Sequence, residues 1–329
     1  MRRHWLIAPI ALCFVFAAAP QTARADASPA PLIAKPAIAV PRSPGSFDYM
    51  YVDAARRYLL VAHTGSKSMD VFNLDTGALL RQVNVGSAHG IAIDVKDRKY
   101  FVSTVEGVVA VVDRDNLVLN DRPLTPGPGD AMAFDPKNNT VYVDEDAGTR
   151  IFTVSGRTNK PGPVITIPQD PEYLNYDPGT DKLYQNIVST NAVLVIDPAT
   201  NAVTATWSTL PATTPHGQAI DSAAARMFIA GSNGILVMMD MKSGAIMGQA
   251  PIAPRVDQIA FDPGTQRVYC ASGTGLLSVV QETTTGLVAL PDVIVPEHAH
   301  TVAVDPSTHA VWISYGGSQT DFIMQLTPP

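Results

Sequence analysis

Seven positions carry a carboxylate or an imidazole at near-constant spacing: Asp48, His89, Asp130, Glu172, His216, Asp257 and His300. A merely wet polar surface would also use Ser, Thr, Asn and Gln, and none of these occurs in the set. Imidazole and carboxylate together are the donors of sites for Zn²⁺, Cu²⁺, Ni²⁺ or Fe²⁺. Free imidazole takes up a proton near pH ~6.5, so a site built this way is expected to lose its metal as pH falls through that value.

Each of the seven lies five residues before an aspartate that closes an alternating apolar run: Asp53, Asp94, Asp135, Asp177, Asp221, Asp262 and Asp305. The intervals between these aspartates are 41, 41, 42, 44, 41 and 43 residues. Seven residues after each comes a large apolar side chain: Leu60, Phe101, Tyr142, Tyr184, Phe228, Tyr269 and Trp312. The turn-forming stretches between aspartate and aromatic, such as DPKNNT and DPGTDK, read as hairpin loops. A third strand, a turn (NLDTG, VIDPATN, MDMKSG) and a fourth strand complete each unit. Four short antiparallel strands at this period are one propeller blade.

The fold class is therefore all-β: a seven-bladed β-propeller over residues 36–329, with repeats beginning near 47, 88, 129, 171, 215, 256 and 299. The last repeat supplies only three strands. Residues 36–40, PAIAV, are expected to supply its fourth, so the closing blade is shared between the N- and C-terminal segments and no sheet edge is left open. Residues 26–35, rich in Ala and Pro, are expected to be a loose arm.

Residues 1–25 have two arginines, an apolar run and Ala23-Arg24-Ala25, the pattern of a secretory signal peptide cleaved before Asp26. Cleavage would remove Arg2, Arg3 and Arg24 and no acid, making the charge three units more negative than the −7 of the whole chain. A periplasmic or secreted protein of that charge has no basic footprint for nucleic acid or an anionic membrane, and no second apolar segment for stable membrane insertion. Its one remaining cysteine, Cys270, lies in an apolar strand and is expected to be a buried hydrophobe.

The segments RYLLVAHTGSKSMDVFNLDTGALL and DKLYQNIVSTNAVLVIDPATNAVTATW resemble the YVTN family of β-propeller repeats. The resemblance spans nearly all of the chain from residue 36, although no repeat has an intact Tyr-Val-Thr-Asn; Tyr142-Val143-Asp144-Glu145 comes nearest. It implies a propeller and, in function, an exported binding scaffold.

In a propeller the first strand of each blade lines the central channel, so the seven positions should ring one mouth. His298 lies on the approach loop of His300, and His63 ends a second strand, which points to the same face. His309 falls in a hairpin loop on the opposite face. Once the ring closes, blades 7, 1 and 2 bring His298, His300, Asp48, His63 and His89 into one sector. Asp130, Glu172 and His216, with Glu145 nearby, form a second. Asp257 completes the ring. The 144–148 stretch, Asp-Glu-Asp-Ala-Gly, is too short for a calcium loop and reads as a solvated acidic turn.

The spacing lacks Gly-x-Ser-x-Gly, His-Glu-x-x-His, Cys-x-x-Cys and a phosphate-binding glycine loop. Three functions stay open. One is a binding or scaffold protein holding a metal ion or small polar ligand at the mouth. Another is a metal-dependent lactonase or lyase, with the metal polarising a carbonyl. The third is a platform for a periplasmic protein partner, in which the ring merely hydrogen-bonds to water.

Overall fold

The computed structural model describes residues 31–41 and 45–329, so the segment read as a signal peptide lies outside the described residues. Seven antiparallel sheets succeed one another along the chain. Blade 1 is made of Met50–Asp53, Tyr58–His63, Ser68–Asn73 and Leu79–Asn84, and the rest follow the same order from channel to rim. Among the described residues the regular structure is β throughout, apart from one 3-10 turn at Val188–Thr190. Among the described residues no helix is long and apolar enough to cross a membrane.

The periodic aromatics have a specific task. Each faces a residue of the first strand two positions before the hairpin aspartate, and in five blades that residue is alanine: Ala92 opposite Phe101, Ala133 opposite Tyr142, Ala219 opposite Phe228, Ala260 opposite Tyr269, Ala303 opposite Trp312. Blade 1 exchanges the sizes, with Tyr51 opposite Leu60. Large against small lets the twisted sheets nest. The buried apolar residues fall into seven clusters, one between each pair of neighbouring blades, and each cluster holds one of the seven large residues. The core of this protein is therefore a ring of seven interfaces.

All seven hairpin aspartates accept backbone N–H groups of their own turns, as Asp94 does from Asp97 and Asp135 from Lys137. Some also hold the next blade. Arg114 of blade 2 donates to Asp53 of blade 1, and Arg57 of blade 1 donates to both carboxylate oxygens of Asp305 of blade 7. His309 Nδ1 sits 2.9 Å from Asp262 Oδ2, binding blade 7 to blade 6.

The closing blade is shared as expected. Ile38–Val40 pairs with the last strand, Asp321–Thr327. The arm expected over 26–35 differs in its described part: Ile33–Ala34 also pairs with that strand, and Leu32 is buried. Leu32 and Ile33 are apolar enough to extend the outer strand, and the proline at 36 only interrupts it. Cys270 is a buried free thiol.

Candidate functional site

The first strands begin at the mouth with a deliberate irregularity. In blades 2 to 6 the ladder shifts register around the ring residue: between Ala88 and Ile91, Gly129 and Met132, Pro171 and Leu174, Pro215 and Gln218, Val256 and Ile259. Such bulges re-aim a side chain out of the pleat. Here they turn His89, Asp130, Glu172, His216 and Asp257 toward one another.

The result is a series of pairs across blade boundaries. His89 Nδ1 lies 2.9 Å from Asp48 Oδ2 and 3.1 Å from Asp130 Oδ1, linking blades 1, 2 and 3. His300 Nδ1 lies 2.7 Å from Asp257 Oδ2, linking blades 6 and 7. His216 Nε2 faces Glu172 Oε1 at 3.8 Å, between blades 4 and 5. Seven is odd, so acid and base cannot alternate all the way round, and Asp130 and Glu172 meet as neighbouring acids. Burial, together with the charges of Asp130, Asp257 and other acids, pushes Glu172 well above the usual carboxylate range.

The triad Asp48, His89 and Asp130 is the compact group. One ligand atom from each lies within 4.8 Å of the other two. Burial opposes a charge on His89, but the bonds to Asp130 and Asp48 outweigh it and raise its imidazole to about 10. Asp130 is pushed up to about 7 by burial and by the charge of Asp48, against the bond from His89. Burial likewise raises Asp48. Beneath them Asp144, fully buried, accepts a hydrogen bond from Gln185 Nε2 at 2.9 Å.

Two tyrosines cross the channel just below, and beyond them it holds a cavity of about 330 Å³ lined by first-strand residues such as Tyr51, Asn175, Gln218 and Phe261. Tyr49 and Tyr173 meet edge to face at 5.3 Å, and Tyr49 donates its hydroxyl across the channel to the Glu172 carbonyl. The mouth is therefore a basin with a tyrosine floor.

The remaining expected residues divide. His63 does not reach the mouth. It is fully buried in the wall between blades 1 and 7, with Nδ1 2.8 Å from Asp70 Oδ2 and Nε2 2.9 Å from Asp321 Oδ2. Both ring nitrogens are used, which disqualifies it as a ligand. Glu145 is taken by Arg150 and leaves the second sector. Asp130 joins Asp48 and His89 instead of His216. His298 and His300 belong with His216 and Asp257 in a separate pocket. Two residues that the spacing did not single out matter: Gly90 and Gly217, each directly after a ring histidine. A Cβ on Gly90 would lie 2.4 Å from the Asp130 carbonyl oxygen, and one on Gly217 would lie 2.6 Å from that of Asp257. The His-Gly pairs at 89–90 and 216–217 were the available signal.

No protein-family model matches the sequence, and no curated protein matches it. Solved structures do match in shape. Hydrazine synthase of Kuenenia stuttgartiensis aligns with a TM-score of 0.74 at 14% identity, over 86% of this chain and 96% of that one. A chain of the mitotic checkpoint complex gives 0.76 at 12%, over 96% and 98%. The RRP9 WD40 repeats give 0.75 at 10%, over 90% and 99%. At such identities the likeness shows the fold alone. The chain is a seven-bladed propeller similar in shape to WD40 repeats, with a triad at one mouth whose donor atoms lie close enough together to hold a metal ion.

Proposed function

We propose that this chain is an exported YVTN-type propeller acting as a binding protein, and that Asp48, His89 and Asp130 hold a divalent transition-metal ion. The spacing of the three ligand atoms carries this reading. Adjacent ligands on a six-coordinate ion with bonds of about 2.1 Å stand about 3.0 Å apart, and the two nitrogen–oxygen distances are 2.9 and 3.1 Å. One imidazole with two carboxylates is a donor set of intermediate hardness, suited to Zn²⁺, Fe²⁺ or Ni²⁺ and less to Cu⁺ or Ca²⁺. The three donors come from three blades, and an ion held by them would keep its remaining coordination positions for water or a ligand. Export rests on the residue pattern of 1–25, and mass analysis of the chain secreted by a bacterial host should find Asp26 as its first residue.

Calorimetric titration with Zn²⁺ tests the site. Asp48→Asn, His89→Ala and Asp130→Asn should each weaken binding about tenfold or more, while His309→Ala should not. Equal affinities for all variants would sink the metal reading.

A second reading, a platform for a protein partner, is favoured by the opposite mouth. The residue before each hairpin aspartate is apolar and half-buried there: Val52, Ile93, Phe134, Tyr176, Ile220, Phe261 and Val304. A continuous apolar ring of this kind is common at interaction surfaces.

A further inference from the structure

We infer that a second pocket at the polar mouth, on blades 5 to 7, binds a small organic carboxylate. The pocket has a volume of about 370 Å³ and is lined by His216, Ser232, Arg255, Asp257, His298 and His300, among others. One guanidinium and three imidazoles thus converge in a chain whose overall charge is −7.

Two of the donors are unspent. Arg57, Arg114, Arg150 and Arg226 all pair with carboxylates. Among the described residues the Arg255 guanidinium has no such partner, and the His298 ring has no hydrogen bond. The Nδ1 of His300 is engaged by Asp257 at 2.7 Å, which leaves Nε2 for a ligand. His216 is already engaged and shapes the wall: its Nδ1 lies 3.1 Å from the Thr214 carbonyl oxygen and 3.2 Å from the Ser232 hydroxyl, and its Nε2 faces Glu172.

The backbone holds these groups in place. Arg255 and His298 occupy the same repeat position, seven residues before the hairpin aspartate, and both adopt left-handed φ, 59° and 68°. That conformation costs a side-chain-bearing residue about 1 kcal/mol. It is fixed by the Arg255 N–H donating to the Ser232 carbonyl and the His298 N–H donating to the Gly273 carbonyl. Pre-set donors around an unpaired guanidinium suit a planar carboxylate, which takes two parallel N–H bonds. Glu172 stands beside His216 and Glu297 beside His298, so phosphate, with its charge gathered on one centre, would meet more repulsion than succinate, whose two carboxylates carry one charge each and stand apart.

The inference does not require the metal triad to be filled. Calorimetry on metal-free protein with succinate as the probe, and inorganic phosphate as comparison, tests it. Succinate should bind more tightly than phosphate. Arg255→Gln should weaken it about tenfold or more, Arg255→Lys should recover part of the loss, and His298→Ala should weaken it less. His89→Ala should leave succinate binding unchanged while weakening Zn²⁺ binding about tenfold or more. Arg255 is exposed, so its variants should melt like the wild type, which thermal unfolding checks. Absence of succinate binding at millimolar concentration overturns the inference, as does an unaffected Arg255→Gln or an equal loss in His89→Ala. Zn²⁺ titration of Arg255→Gln reads the triad separately.

Discussion

Gly90 passes so close to Asp130 that the first strands of blades 2 and 3 nearly touch: an added Cβ would stand 2.4 Å from the Asp130 carbonyl oxygen and 3.0 Å from the Met132 nitrogen. The approach is fixed on its other side by Ser103, whose hydroxyl accepts the Gly90 N–H at 2.7 Å and donates to the Asp130 carbonyl. Because the obstacle is backbone, Gly90→Ala should force the two strands apart. The expected cost is about 1–3 kcal/mol of stability, together with weaker Zn²⁺ binding as His89 is drawn from Asp130. Gly273→Ala is the control, since nothing lies within 4 Å of a Cβ there. Denaturant unfolding and Zn²⁺ titration of both variants check it; similar behaviour of the two would mean the close approach has no role.

The fold was legible in the sequence because each blade repeats a size rule and a turn rule. Trp312 and Tyr269 had to be core, and Asp262 and Asp305 had to close turns, wherever the chain went. The ring was legible as a spacing, but its pairing was not. Which neighbour His89 touches depends on a bulge and on Gly90, neither of which a period near 42 encodes. His63 misled for a related reason. Its place at the end of a second strand is mouth-like in sequence, yet its ring packs at 4.3 Å from Phe47 and turns into the blade 1–7 wall. Arg255 and His298 owe their place in one pocket to left-handed turns, which a non-glycine residue does not announce.

The closing blade depends on its N-terminal strand. Val40 is 1% exposed and Leu32 2%, and the two short strands Ile33–Ala34 and Ile38–Val40 cover the edge of Asp321–Thr327. Deleting residues 26–42 should expose part of the cluster around Trp312 and lower the melting temperature by about 10 °C or more. Differential scanning calorimetry of the deletion against the chain beginning at Asp26 would show it. A deletion that melts like its parent would mean the ring is held shut by the other contacts of blades 7 and 1.

His63 and His89 should behave as opposites. His63→Ala leaves Asp70 and Asp321 buried without the imidazole between them, and removing one partner of a buried charge cluster costs about 3–5 kcal/mol. Its Zn²⁺ affinity should stay that of the wild type. His89→Ala removes a partly exposed side chain and should cost less in stability while weakening Zn²⁺ binding about tenfold or more. Stability and Zn²⁺ affinity measured on the same two samples separate a wall residue from a ligand. Loss of Zn²⁺ binding in a still-folded His63→Ala would place His63 back at the mouth.

Asp305 links the closure to acid stability. Burial alone would raise its carboxyl, but the two bonds from Arg57, at 2.7 and 2.6 Å, and those from Thr308 and Ser307 hold it down at about 2. A folded-state value below the ordinary 3.8 means that the carboxylate contributes stability above that pH. The contribution should be lost as pH falls from about 4 to about 2, and screening at the partly exposed Arg57 limits it to about 1–2 kcal/mol. Asp305→Asn should be less stable at pH 7 and should show a flatter stability profile across that window. Urea unfolding from pH 2 to 7 measures both, and parallel profiles for the two proteins would exclude the linkage.

The pH dependence of metal binding should differ from that of a free imidazole. An isolated histidine would admit a metal above about 6.5. Here His89 keeps its proton up to about 10, because it sits between Asp48 and Asp130. A metal entering at neutral pH must therefore expel that proton, so affinity should climb steadily from pH 7 toward 10. Below about 7, Asp130 also takes up a proton and binding must expel a second. Affinity should then fall more steeply, by up to about a hundredfold per pH unit. Zn²⁺ titrations at pH 6 and 8, each in two buffers of different ionisation enthalpy, count the protons released. About one at pH 8 and more than one at pH 6 is the expected result. A count near zero at both would show that Zn²⁺ binds without displacing the His89 proton, and so that His89 is not a ligand.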